Sequence, residues 1–381
     1  MRIAFYAPLK PPDHPVPSGD RRMAQLLVAA LASAGHEVEL AARLRSWDGG
    51  GDVDRQMRVA GVGAKLAQRL GARLAARAPA DRPRAWITYH LYHKAPDWLG
   101  PRVAGQLGLP YVVVEASLAG KREGGPWGLG HAATQAALER AAAVVSLNPL
   151  DEEGIASLVR HRRRLHRIKP FLDAAPFAAA ARERAAHRAA LAARYSLPDA
   201  EPWLLAVAMM RGGDKLASYR LLAEALATLD GRSWRLLVAG DGPARSEVEA
   251  ALAPVASRTA FLGLVAAEQL PGLYAACDLM VWPAVNEAFG MAFLEAHAAA
   301  LPAVAGEFGG VSEIVAHERT GLLTRPGDGA AFAAAVARLL DDPNRHRAMG
   351  TAAWAKVAAE HGLPAAGQAL DRILKTALAD P

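Results

Sequence analysis

The chain reads as an α/β protein built from two doubly wound, Rossmann-like domains. Three observations predict this. Short β-type apolar runs alternate with longer helical stretches in both halves, the pattern of parallel sheets covered by helices. A length of 381 residues is more than one ordinary core accommodates. A composition of 52% hydrophobic and 22% charged residues describes a well-packed soluble chain and excludes extensive disorder.

In the first half the predicted strands are "RIAFYAP", "EVELAAR", "AWITYH", "YVVVEAS" and "AVVSLN", separated by helix-like segments such as "RRMAQLLVAALASAG". In the second half "WLLAVAMM" leads into the helix "LASYRLLAEALATL". Then "RLLVAGD", "TAFLG" and "LMVWPA" follow, each with a helix after it, before "PAVAG" and "TGLLTRP". Between the halves lies the poorly periodic "RHRRRLHRIKPFLDAAPF", whose prolines break any continuous element, and the domain boundary is expected there. The final segment, "PAAGQALDRILKTAL", reads as a helix.

Cys277 is the only cysteine, which excludes a disulfide framework and a cysteine-rich metal site and fits a reducing compartment. The start, "MRIAFYAPLKPP", has no signal-peptide pattern and no segment has the length of a membrane span, so a cytoplasmic protein is expected. Charge is uneven: residues 1–190 carry 28 Lys+Arg against 17 Asp+Glu, residues 191–381 carry 16 against 21. The basic first half points to an anionic partner. Nucleic acid is not expected, because the basic residues lack interleaved aromatics or a known module.

Four constellations carry chemistry. "RLLVAGDGPARSEVEAAL" runs from a strand through Gly240 and Asp241 into a helix, where backbone N–H groups can face a ligand; alone it is equally a tight turn that needs glycine. In "VAMMRGGDKLASY", Arg211 and Lys215 lie just past a strand end, in the loop where open α/β sheets bind ligands, and two cations there suit a diphosphate. In "NEAFGMAFLEAHAAALPAVAG", Glu287 and Glu295 stand in an almost wholly apolar run, flanking Phe289, Gly290 and Met291, where a helix is expected to begin. Carboxylates so placed suit the hydroxyls of a sugar and a ribose. The fourth is "ITYHLYH": His90 and His93 are either polar residues at a strand terminus or substrate contacts.

"NEAFGMAFLEA" resembles the E-x7-E motif of retaining GT-B glycosyltransferases of family 4, and "GGVSEIVAHERTGLLTRPGD" resembles that family's GG-x-x-E-I-V…TGLL segment. The resemblance covers about Trp203 to Asp342, with "SAGHEVELAAR" similar to the family's N-terminal G-H-E-V entry. It implies a GT-B fold, two Rossmann-like domains facing across a cleft. Residues 1–170, completed by the helix at 364–381, would bind the acceptor, and residues 171–363 the nucleotide sugar. By the same resemblance Arg211 and Lys215 grip the donor diphosphate and Glu287 the transferred sugar. Glu295 takes the ribose, the backbone of Phe289, Gly290 and Met291 supports sugar or phosphate, and Gly240 and Asp241 lie near the base. Glu115, where the family has a histidine, joins His90, His93 and Gly19 as acceptor or sugar contacts. Arg211 and Lys215 are four apart where the family spaces this pair by five.

The implied reaction moves a sugar from a nucleotide diphosphate to an acceptor hydroxyl with retention, with no cofactor. No metal is expected, since the only D-x-D, Asp52 to Asp54, follows the glycine loop "WDGGG" rather than a buried strand. Rival readings are a nucleotide-sugar epimerase and a catalytically silent scaffold subunit of the same fold. Lys65, Arg69, Arg73 and Arg77 recur every four residues beside Leu66, Leu70 and Leu74. This is either an ordinary surface helix or one lying on an anionic membrane that presents a lipid-linked acceptor, with its leucines at the acyl boundary.

Overall fold

A computed structural model describes every residue except 17, 119–123, 148, 157–161, 288–289 and 380–381. The chain divides into two compact units, Met1–Lys169 with Leu363–Pro381, and Pro170–Gly362.

The first unit runs β1 (Arg2–Tyr6), α1 (Gly19–Ser33), β2 (Glu37–Leu40), α2 (Val53–Ala75), β3 (Ala85–Tyr92), α3 (Gly100–Leu107), β4 (Tyr111–Ser117), α4 (Gly128–Arg140), β5 (Ala143–Ser146), α5 (Pro149–Ala156) and β6 (Leu165–Arg167). Its sheet has the order β2-β1-β3-β4-β5-β6, and each pairing is parallel. Central strands are buried on both faces: Ile3, Ala4, Phe5 and Tyr6 of β1 are all solvent-inaccessible, which is why they read as continuous apolar runs rather than alternating ones. β6 was not expected; it lies inside the stretch read as poorly periodic, because three residues are too few to set a period. Helix starts are capped where the sequence supplies short oxygens. Ser18 Oγ accepts from Arg21 N at 3.2 Å and Asp52 Oδ1 from Arg55 N at 2.9 Å, each contributing about 1 kcal/mol. Asp52 is thus a helix cap rather than part of a flexible loop.

The leucine stripe of α2 corrects an expectation. Leu70 and Leu74 are buried in the core of the unit, so they are not available to a lipid phase, and Arg77 lies beyond the helix end, paired with Glu39 at 2.9 Å. Lys65, Arg69 and Arg73 do face solvent.

The second unit runs α6 (Ala175–Arg182), α7 (Arg184–Tyr195), β7 (Trp203–Val207), α8 (Asp214–Ala227), β8 (Arg235–Ala239), α9 (Arg245–Ala251), β9 (Thr259–Gly263), α10 (Leu270–Ala276), β10 (Leu279–Trp282), α11 (Met291–Ala298), β11 (Ala303–Gly306), α12 (Val311–Ile314), β12 (Gly321–Thr324), α13 (Gly329–Asp341) and α14 (Pro343–Lys356). Its parallel sheet, β12-β11-β10-β7-β8-β9, is a doubly wound order whose direction reverses between β7 and β10. Trp203, Trp234 and Trp282 anchor its core. The last helix, α15 (Leu363–Ala379), packs on α1 of the first unit: Gly367 lies so close that a Cβ there would meet Ala30 O at 2.2 Å, and Ser33 Oγ donates to Leu363 O at 3.1 Å.

Candidate functional site

In the second unit the loops after β7 and β10 emerge on either side of the sheet's reversal point, where open α/β sheets form a crevice at their carboxyl ends. The loop from Ala208 to Gly213 leads into α8, and the first turns of that helix hold the facing loop. Ser218 Oγ accepts from Val285 N at 3.0 Å, and Asp214 Oδ1 accepts from Asn286 Nδ2 at 2.9 Å. These two bonds carry Glu287 onto Lys215, with which it forms an ion pair. Lys215 Nζ also sits 5.6 Å from the ring centroid of Trp282, itself packed edge-on against Tyr219.

The β10–α11 connection is bent through left-handed residues. Ala284 has φ 56°, Asn286 φ 50° and Gly290 φ 72°. An alanine in that region costs about 1–2 kcal/mol, a cost the surrounding hydrogen bonds sustain. Gly290 caps α11, whose first-turn N–H groups at Met291 and Ala292 lie ahead of any intrahelical acceptor. Phe289 lies outside the described residues. Glu295 falls in the second turn, where Tyr274 Oη donates to its Oε2 at 2.9 Å. Burial, and then the Glu295 charge, push the Tyr274 phenol well above its ordinary range, so it stays a neutral donor.

The turn after β8 is knitted to the same loop. Met210 N donates to Asp241 O at 3.0 Å, and Gly240 approaches so closely that a Cβ would meet Ala208 O at 1.9 Å. The Asp241 carboxylate points to Arg245 at 3.4 Å.

One expectation changes: Lys215 is in the first turn of α8 rather than in the loop, which is how helix geometry aims it at Glu287. Arg211 is in the loop, as expected, and exposed, with its guanidinium against Met209 Sδ at 2.6 Å. Sequence reasoning missed Asp214, Ser218, Asn286, Trp282 and Tyr274. Asn286 carried a signal, being a residue that tolerates φ > 0 beside Glu287; the others are set only by packing.

The first unit has its own reversal point, between β1 and β3. Gly19 opens α1 there, and the next residue, Asp20, lies 2.9 Å from His90 Nδ1. His90 and Glu115 are both left-handed within their strands, and His93, just past β3, meets Trp127 edge-on at 5.8 Å. Among the described residues no group of three or more His, Cys, Asp or Glu is arranged to hold a metal ion, and no helix is long and apolar enough to cross a membrane.

A family model described as "Glycosyl transferases group 1" matches residues 201–342. The match covers less than half of the chain and lies within the second unit. The matched segment contains Arg211, Lys215, Glu287 and Glu295. Beyond it, the chain is 32% identical over 242 residues to an alpha-D-kanosaminyltransferase of Streptomyces kanamyceticus, covering 63% of this chain and 61% of the relative. The chain thus spans less than two thirds of that relative's length. Among solved structures it matches a sucrose-phosphate synthase from Thermosynechococcus elongatus (TM-score 0.68, 22% identity, 100% of both chains). It also matches the Anabaena protein HepE in complex with UDP and glucose (TM-score 0.68, 18% identity, 98% of this chain and 99% of that one). The fold shared with these neighbours is GT-B.

Proposed function

We propose that the protein is a retaining GT-B glycosyltransferase of family 4 type, transferring a hexose-like sugar from a nucleoside diphosphate to an acceptor hydroxyl. The ion pair of Lys215 with Glu287 at the sheet's reversal point carries this reading, because it joins the cation a diphosphate needs to a carboxylate that can accept from sugar hydroxyls. The group 1 match and the kanosaminyltransferase likeness support the activity, and the UDP complex of a protein with the same fold supports the donor class.

Lys215 and, after a side-chain rotation, Arg211 would stabilise charge growing on the leaving diphosphate, and the N–H groups opening α11 would add to that field. Glu287 would hold the transferred sugar and Glu295 the ribose. Gly240 and Asp241 would border the base. In a front-face displacement the C–O bond to phosphate breaks as the acceptor oxygen bonds the same face, and a phosphate oxygen takes the acceptor's proton. The first unit would bind the acceptor through residues around Gly19, His90, His93 and Glu115. No metal is assigned to this scheme, in which the protein's own cations face the diphosphate.

The basic first half supports an acceptor presented at an anionic membrane, with the protein peripheral on the cytoplasmic face. Incubation with UDP-sugars and a hydroxyl-acceptor panel, with the product anomer read by NMR, tests the reading. An α-linked product from an α-linked donor, formed equally in EDTA, is expected. An inverted product or failure to bind UDP and GDP at millimolar concentration overturns it.

A further inference from the structure

Asp20 and His90 meet at the reversal point of the first unit, the crevice position of an open α/β sheet. His90 Nδ1 lies 2.9 Å from Asp20 Oδ1. The hydrogen bond from His90 holds the Asp20 carboxyl below its ordinary range, so at neutral pH it is ionised and can only accept. The shared proton is therefore on Nδ1, which in a neutral ring makes Nε2 the acceptor atom.

The backbone singles out the same place. His90 has φ 61° and Glu115 φ 60°, the left-handed region in both cases. The two are neighbours across paired strands, because Tyr89 pairs with Val114 and Leu91 with Ala116. Each costs about 1–2 kcal/mol that a glycine would not. Their flanking residues, Tyr89, Leu91, Val114 and Ala116, are all buried, whereas His90 and Glu115 are half-exposed. A side-by-side pair of kinks thus brings an imidazole and a carboxylate to the surface of an otherwise buried sheet. From His90 a partly exposed aromatic row continues, with ring centroids 5.1 Å to Tyr92, 5.4 Å from Tyr92 to His93 and 5.8 Å from His93 to Trp127. Hydrogen-bonding groups beside flat apolar faces suit a saturated ring that bears hydroxyls on its edge and C–H bonds on its face.

We infer that Asp20 is a positioning residue: it fixes His90 so that Nε2 accepts a hydrogen bond from a ring hydroxyl of a sugar or cyclitol acceptor bound beside Glu115. The word acceptor rests on the glycosyltransferase reading; the polyol site does not.

Long-range proton–nitrogen NMR on the full-length, 15N-labelled chain reads the tautomer. His90→Asn, which tolerates the left-handed backbone, assigns the resonance by its disappearance. The proton is expected on Nδ1, and methyl α-D-glucopyranoside or myo-inositol at high millimolar concentration should shift Nε2. Asp20→Asn, whose amide can donate or accept, should release a mixture of tautomers and weaken the probe-induced shift at least threefold, and Asp20→Glu should restore both. A wild-type proton on Nε2, no shift with either probe, or an Asp20→Asn chain that keeps tautomer and shift overturns the inference. UDP calorimetry on the same samples reports separately: absent UDP binding with the probe shift intact sinks the glycosyltransferase reading and leaves the polyol site standing.

Discussion

Lys215 and Glu287, 72 positions apart in the chain, are ion-paired in the second unit, held there by Asn286 on Asp214 and Val285 on Ser218. Glu287 therefore occupies the cation that a donor diphosphate would claim. Glu287→Gln is expected to leave UDP binding equal or tighter, because the competing carboxylate is gone, while sugar transfer falls about 100-fold or more. Lys215→Met should weaken UDP binding by about 1.5–3 kcal/mol. Calorimetry checks both, and a Glu287→Gln chain that binds UDP tenfold more weakly than wild type would refute the competition.

Glu295, which accepts from buried Tyr274, is the carboxylate proposed for the ribose hydroxyls. Glu295→Gln should lower affinity for UDP about tenfold and leave 2′-deoxy-UDP little changed, since one charged hydrogen bond contributes about 1.5–3 kcal/mol. Competition between the two nucleotides measures the ratio. Equal losses for both would move Glu295 away from the ribose.

His297, wholly buried on α11, titrates at about 3 because burial disfavours its charged form, with His361 and Lys356 adding repulsion. The sign follows: between pH 6.5 and 3 the unfolded chain binds a proton that the native one does not, so this stability is present above 6.5 and is lost as pH falls. The slope is about 1.4 kcal/mol per pH unit within that window. Urea unfolding of His297→Leu should show a flatter acid limb between pH 4 and 6.5. A limb as steep as the wild type's would assign the acid sensitivity elsewhere.

On α2, Lys65, Arg69 and Arg73 are exposed, and so are Val53, Met57 and Val62, at 50%, 54% and 53%. Each cation near an anionic surface contributes about 1 kcal/mol, so replacing the three by glutamine should cut vesicle partitioning about 100-fold. Cosedimentation with anionic and neutral vesicles at low and high salt is the measurement. Wild-type protein that stays in the supernatant with anionic vesicles at low salt would favour a small soluble acceptor.

The two parallel sheets were legible in the sequence, because strands buried on both faces must be apolar throughout, as "RIAFY" and "WLLAV" are, and helices between them follow from the periodicity. The glutamate pair at 287 and 295 was legible because ionised groups stand out in an apolar run. Strand order was not, and it decides which loops meet: β7 lies beside β10 and β1 beside β3 only because each sheet reverses there. That reversal brings Lys215 to Glu287 and Asp20 to His90. Local pattern carries burial and period, which each residue's own chemistry encodes. Pairing between residues some 70 positions apart depends on backbone hydrogen bonds common to every residue type, and so only the tertiary structure decided it.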